Sequence, residues 1–218
     1  MAVNTKKGGK KQNSKVRRAA AKKSLPKRAK DVQGLSRELA QALEQQAASS
    51  DILRMTARSP GDLQSVMDAI AESAARLCEA DDVLVRRLDG DRYYAVSHYG
   101  SIPIVSGIGV ETLCDRSTPA GRAVIDKRTI HVPDLHAAAG EYPGTQTRGL
   151  KVGVRTALAA PLLLKDRAIG SIHIRRLKVS PFSERQIKLL ETFADQAVIA
   201  IENARLIQEL KETLEQKT

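Results

Sequence analysis

Residues 156–176 read TALAAPLLLKDRAIGSIHIRR. Thr156 to Leu164 and Ala168 to Arg176 are runs rich in Leu, Ile and Ala, joined at Lys165-Asp166-Arg167. Two apolar runs of strand length separated by a short polar turn predict a β-hairpin. A second hairpin is written upstream. Val83-Leu84-Val85 leads into Asp89-Gly90-Asp91, a turn signature, and Arg92 to Tyr99 returns. A short strand is expected at 129–132 and a short helix at 118–125.

Helical periods bracket these strands. Leu63, Val66, Met67, Ile70, Ala71, Ala74 and Leu77 fall on one stripe. Ser59 is expected as the N-cap of that helix, with Pro60 at its first position and Asp62 at its third. After Pro181 comes the longest helix, with Ser183 as N-cap and Gln186 as its capping-box partner. Ile187, Leu190, Phe193, Ala194, Ala197, Val198 and Ile201 form its inward face, and Ile207, Leu210 and Leu214 continue as a heptad. Upstream, Val32, Leu35, Leu39 and Ala42 predict a connector helix over 32–58. Successive hairpins flanked by helices imply an antiparallel sheet in an α+β fold. The stretches 100–116 and 133–151 have no clear period and are expected as irregular loops.

The charge is unevenly placed. The chain of 218 residues has a net charge of +11, yet residues 1–30 hold 12 Lys/Arg and no acid. The remainder is near neutral. The segment 1–31 has almost no large apolar side chains and is expected to be disordered. It is either an electrostatic tether, to nucleic acid before membrane, or a solubilising extension. No apolar run approaches the ~20 residues of a membrane span, and no apolar stretch follows the basic start as in a secretory signal. Two cysteines, with no CxxC pair, argue for a reducing cytoplasm. Glu38 to Gln45 and Glu209 to Gln216 match at five positions, as a connector repeated on both sides of a globular unit would.

Several short motifs stand in a telling order. They are Tyr94-Ala95-Val96-Ser97-His98-Tyr99-Gly100, Gly121-Arg122-Ala123-Val124, Thr129-Ile130-His131-Val132-Pro133-Asp134, Thr156 to Leu162, Ile169-Gly170-Ser171-Ile172, Phe193-Ala194-Asp195-Gln196-Ala197 and Ala200 to Leu206. From about residue 51 to 206 the chain resembles a GAF domain, the small-molecule-binding module of bacterial sensor kinases, cyclases and phytochromes. The resemblance implies a twisted antiparallel sheet of five or six strands, with the N- and C-terminal helices on one face. It implies loops over a ligand pocket on the other face, and a homodimer formed through coiled-coil-like terminal helices. The expected organisation is a basic tail at 1–31, a connector helix at 32–58, the domain at 59–206 and a helical extension at 207–218. Tyr94, His98, Cys114, Thr118, His131, Asp134, Tyr142 and His173 are the candidate pocket residues.

The chemistry expected is binding, not catalysis. His131, Asp134 and His136 have metal-like spacing, but they sit in the ordinary strand-to-loop motif, where such groups stabilise turns. Cys114 is the better candidate of the two thiols for reactivity, with Arg116 positioned to lower its pKa. Bilin attachment in related photoreceptors uses a Cys-His dipeptide, and here Asp115 follows Cys114. The Asn-Lys pair of cyclic-GMP-binding relatives is missing, although Phe182-Ser183-Glu184 falls near the matching place. One loop cysteine does not supply both a nucleophile and a resolving thiol for a redox enzyme. No GxGxxG, Walker or HExxH string occurs.

The expected function is a sensor or regulatory module that binds an unidentified small molecule. It would pass a conformational change through dimer helices to an output such as a histidine kinase of a two-component system. The alternative is a dimerising scaffold whose tail contacts nucleic acid. That alternative predicts a salt-sensitive gel shift abolished by deleting residues 1–30. Absence of the shift, or its survival after the deletion, would sink it.

Overall fold

The computed structural model describes residues 32–36, 39, 42, 46, 50, 62–104, 107–148 and 150–215. The expected tail at 1–31 lies wholly outside the described residues. Within the expected connector helix at 32–58, the described residues are helical, and Val32, Leu35 and Leu39 are exposed.

The globular unit runs α1 (Leu63–Leu77), β1 (Asp82–Asp89), β2 (Arg92–Gly100), β3 (Glu111–Leu113), α2 (Pro119–Asp126), β4 (Ile130–Val132), α3 (Pro143–Arg148), a 3₁₀ turn (Leu150–Val152), β5 (Thr156–Leu164), β6 (Arg167–Arg176) and α4 (Glu184–Glu215). The strands form one six-stranded sheet in the order β3-β2-β1-β6-β5-β4, with every neighbouring pair antiparallel. Both hairpins read from the sequence are present, and β1 joins β6 to link them.

The helices start where local chemistry satisfies their free amides. Ser183 and Gln186 form the expected capping box. Gln186 N donates to Ser183 Oγ at 3.3 Å, and Ser183 N donates to Gln186 Oε1 at 3.0 Å. The start of α1 differs from the expectation at Ser59. Asp62 is the N-cap, accepting from Ser65 N at 3.1 Å, and the helix begins at Leu63. A carboxylate there accepts two bonds from Ser65, one from the amide and one from the hydroxyl. It also favours the positive end of the helix dipole.

Each face of the sheet has its own core. Val66, Met67, Ile70 and Ala74 of α1 and Leu190, Phe193, Ala194 and Ala197 of α4 pack on Val83, Val85, Leu158, Leu162, Ile172 and Ile174. The opposite face carries Ala157, Ala159, Ile130 and Val132 beneath Ala120 and Ala123 of α2 and the loop residues Ile102, Leu135 and Val154. Coverage on both sides explains why β5 is an unbroken apolar run and not an alternating one. Pro161 sits in that run without disrupting it, because β4 pairs only with Ala157–Ala159 and β5 is an edge strand at position 161.

One β-bulge sets the register of the cavity face. Val85 pairs with Ser97, but Arg86 pairs with Ala95, so Val96 is the extra residue. The Val96 carbonyl accepts from Gln64 Nε2 of α1 at 2.9 Å, and Ser97 Oγ meets Asp68 Oδ1 at 2.6 Å. The helix therefore hydrogen-bonds the backbone at the irregularity. The stretch 100–116, expected as irregular, contains β3, which is held to β2 by three residue pairs.

Gly100 ends β2 at φ +128°, and a Cβ there would lie 2.5 Å from Asp81 O and 2.7 Å from Asp82 Cα. Neither obstacle is a flexible side-chain end. Gly100→Ala is expected to lower stability by about 2 kcal/mol or more, read as a lower urea midpoint at unchanged slope. A midpoint within experimental error of the parent would contradict this account.

Candidate functional site

The strands dictate which side chains reach the loop-covered face. On β6, Ser171, His173 and Arg175 share one face by the two-residue alternation. On β1, Leu84 and Arg86 do the same. Tyr93 of β2 and Thr112 of β3 are cross-strand partners and extend that face toward the sheet edge. Of these residues, Leu84, Arg86, Tyr93, Thr112, His173 and Arg175 form the floor of a cavity of about 70 Å³. Its walls are Thr118, Pro119 and Ala120 at the start of α2, with Ile104, Leu135, Thr145 and Val154 from the loops.

The wall is tied to the floor. Thr118 is the N-cap of α2, its Oγ1 accepting from Gly121 N at 3.1 Å. Tyr93 Oη donates to Ala120 O at 2.9 Å, locking β2 to the first turn of α2. Burial above all raises the Tyr93 phenol pKa and keeps it a neutral donor. Gly121 lets this turn approach the preceding loop, since a Cβ there would fall 1.8 Å from Asp115 O.

At the end of the sheet a buried network holds β1, β2 and β6 together. Asp82 is fully buried. Its Oδ1 accepts from Arg175 Nε at 2.8 Å and also from Arg175 Nη2. Its Oδ2 accepts from Ile102 N at 3.2 Å and lies 2.6 Å from His98 Nε2. Arg175 therefore reaches the cavity already paired.

His173 is different. It is 8% exposed, and neither ring nitrogen has a hydrogen-bond partner among the described residues. Burial first, then Arg86 and Arg175, push its pKa well below the ordinary histidine value and keep the ring neutral.

Thr118 and His173 are brought to the cavity. The other six candidates lie outside its lining. Tyr94 pairs with Arg87, on the opposite face from Tyr93, with the Arg87 guanidinium 5.7 Å from its ring centroid. His98 serves Asp82. His131 faces the helix side, edge-on to Phe182 at 5.9 Å, and its Nε2 accepts from Phe182 N at 3.1 Å. Asp134 holds a turn, accepting from His136 N at 3.0 Å and from Arg155 Nη2 at 2.9 Å. Tyr142 is buried in the loop-side core with Arg122 stacked 4.2 Å from its ring centroid.

Cys114 is half-buried beside Tyr93, and burial, foremost, raises its pKa. The expected activation by Arg116 is corrected, because that guanidinium pairs with Asp126 at 2.5 Å. Cys78 lies in the core on the other face, its thiol pushed up to about 12 by burial.

Tyr93, Arg86 and Arg175 were not singled out from the sequence. Arg175 shares the parity of His173 and was readable on that ground. Tyr93 was not, because the bulge at Val96 reverses the parity between His98 and the start of β2.

The neutral, buried His173 has a consequence for stability. Its folded pKa lies below the unfolded value near 6.5, so below that pH the unfolded chain binds more protons than the folded one. Stability is fully present above about pH 6.5 and falls as pH drops through the window beneath it, by up to about 1.4 kcal/mol per pH unit for this proton. His131, whose pKa is also lowered, adds to the loss. Denaturation midpoints of parent and His173→Gln between pH 7.5 and 5 should show a shallower decline in the variant. Parallel curves would refute it.

A GAF domain model matches residues 62–201. The fold superposes on the GAF domain of an Acinetobacter phosphoenolpyruvate-protein phosphotransferase with a TM-score of 0.64 at 16% identity, covering 77% of this chain and 95% of that one. Residues 122 to 287 of a methyl-accepting chemotaxis protein align with a TM-score of 0.60 at 20% identity, covering 73% and 98%. Free methionine-R-sulfoxide reductase from Neisseria meningitidis aligns at 0.61 and 17%, covering 77% and 93%. With the family model spanning more than half of its residues, the chain belongs to the GAF domain family.

Proposed function

We propose that this chain is a sensory or regulatory module that binds a small molecule in the cavity between the sheet and α2. The observation that carries this reading is His173, a buried polar side chain at a cavity wall with both ring nitrogens unpartnered. Buried polar groups are nearly always satisfied, so such a group asks for an occupant. The structural relatives support the general role, since two of them are parts of a phosphotransferase and a chemotaxis protein.

The reductase among the relatives raises a catalytic reading. Here the two cysteines lie on opposite faces of the sheet, which disfavours a dithiol centre and favours binding. Cyclic GMP and bilin remain disfavoured ligands on the motif grounds given above. No helix among the described residues is long and apolar enough to cross a membrane.

The output route in this reading is α4. Helix α4 packs on β5 and α1 through its first half and runs on to Glu215. Ile199, Leu206, Leu210 and Leu214 are exposed and fall on one stripe, at i, i+7, i+11 and i+15. A second copy pairing along that stripe would form the dimer, and a shift in its packing would carry the signal to an output domain.

The test combines two readouts. A metabolite screen by thermal shift, with mass spectrometry of co-purifying molecules, should find a ligand that raises Tm. A ligand at 100 times its Kd adds about 2.7 kcal/mol. Thr112→Phe, which places a ring in the cavity from an edge strand, should remove that shift. Sedimentation should give a dimer for the full chain and a monomer for a chain ending at residue 201. A ligand response untouched by Thr112→Phe would refute the cavity assignment, and a monomer in both chains would refute the dimer route.

A further inference from the structure

We propose that the cavity binds a compact carboxylate, its head at His173 and its body against Leu84, Leu135 and Val154. This rests on the ligand-binding reading above and adds the chemical class of the ligand.

Three independent features select an anion. The first is His173 itself. Leaving a buried polar group unsatisfied is costly, and two ring nitrogens are in that position. A neutral imidazole presents one donor, and a carboxylate oxygen is the acceptor it lacks. When an anion arrives, the same ring takes up a proton more readily, because an adjacent negative charge stabilises the imidazolium.

The second feature is the charge of the lining. Arg86 and Arg175 are there, and no Asp or Glu is among the described lining residues. Asp82 offsets Arg175 from behind, as the short network at the sheet end shows. The Arg86 guanidinium lies 5.9 Å from the Tyr93 ring centroid. A cationic ligand would meet repulsion from both arginines.

The third feature is the start of α2. Thr118, Pro119 and Ala120 line the cavity, so the positive end of this helix adjoins it. Thr118 already caps Gly121 N, Arg122 N is bonded to Thr118 O, and Pro119 has no amide hydrogen. Ala120 N is the first-turn amide that the cap does not use.

Size and polarity limit the rest of the molecule. Water needs about 10–15 Å³ of such volume, so about 70 Å³ admits a group of only a few heavy atoms. Leu84, Leu135 and Val154 are fully or almost fully buried and offer no polar atom from their side chains. A planar monoanion with a short branched body suits that surface. A phosphate would bring a larger charge to a predominantly apolar wall.

The experiment uses the full chain and an isosteric pair, isobutyrate and isobutyramide. The imidazole Hε1 resonance of His173, assigned by its loss in His173→Gln, is followed by NMR during titration. Isobutyrate should move that resonance saturably, with an affinity at least tenfold above that of isobutyramide. In His173→Gln the backbone shifts of α2 should need at least tenfold more isobutyrate to saturate. Should that variant fail to fold, the comparison of the two ligands on the parent protein still decides. Equal affinity for the amide would overturn the requirement for an anion. Tighter binding of inorganic phosphate would overturn the carboxylate. If neither isobutyrate nor phosphate moves His173 while a neutral compound from the thermal-shift screen does, this proposal fails and the ligand-binding reading stands.

Discussion

Asp82 is the point on which the cavity side of the molecule depends. One buried carboxylate accepts from Arg175 on β6 and from the Ile102 amide in the loop after β2, and it contacts His98 on β2. Three strands and a loop thus converge on two oxygen atoms. Removing one partner of a buried, hydrogen-bonded ion pair costs about 3–5 kcal/mol, because the other charge is left without compensation. Gly100 allows the chain to pass close enough for this convergence, where a side chain would strike Asp81 and Asp82. The placement of Arg175 at the cavity, and the position of the loop that contributes Ile104, follow from that one group.

The two faces of the sheet do different work. The helix face is closely packed, with Ile70, Ala74, Leu158, Leu190 and Phe193 nearly inaccessible. The opposite face is covered by a short helix and loops, and there a cavity persists with a polar group left unsatisfied. Cavities in close-packed interiors cost free energy unless something fills them. A dense helix face next to a looser loop-covered face is an arrangement in which occupancy on one side can bias the packing of α1 and α4 on the other. Strand β5 is shared by both cores, and β1 and β6 carry helix-side core residues on one face and cavity-lining residues on the other, so these three strands are the physical link between the faces.

Much of the architecture was legible locally. The capping box at Ser183 and Gln186, the turn at Gly90 and Asp91, and the stripe in α1 each depend on neighbours within four residues. Such signals survive in a linear reading. The short strand β3 was missed because its three residues carry no period of their own and are held by pairing with β2. The start of α1 was misplaced by three residues, since both Ser59 and Asp62 are good caps and only the folded chain chooses between them.

The sequence by itself determined the hairpins, the flanking helices, the family motifs in their order and the separation of a basic tail from a near-neutral domain. These follow from spacing, turn chemistry and composition, which are properties of short stretches. Only the tertiary structure decided which side chains meet. A single extra residue, Val96, reverses the alternation within β2, so that Tyr93 and not Tyr94 faces the cavity. Packing against Phe182 draws His131 to the helix face, and the partnerless state of His173 arises from what the surrounding elements do not offer. Residue type marked His173 and Thr118 as candidates. Their meeting depends on β6 and the start of α2, 55 residues apart in sequence, closing over the same small space.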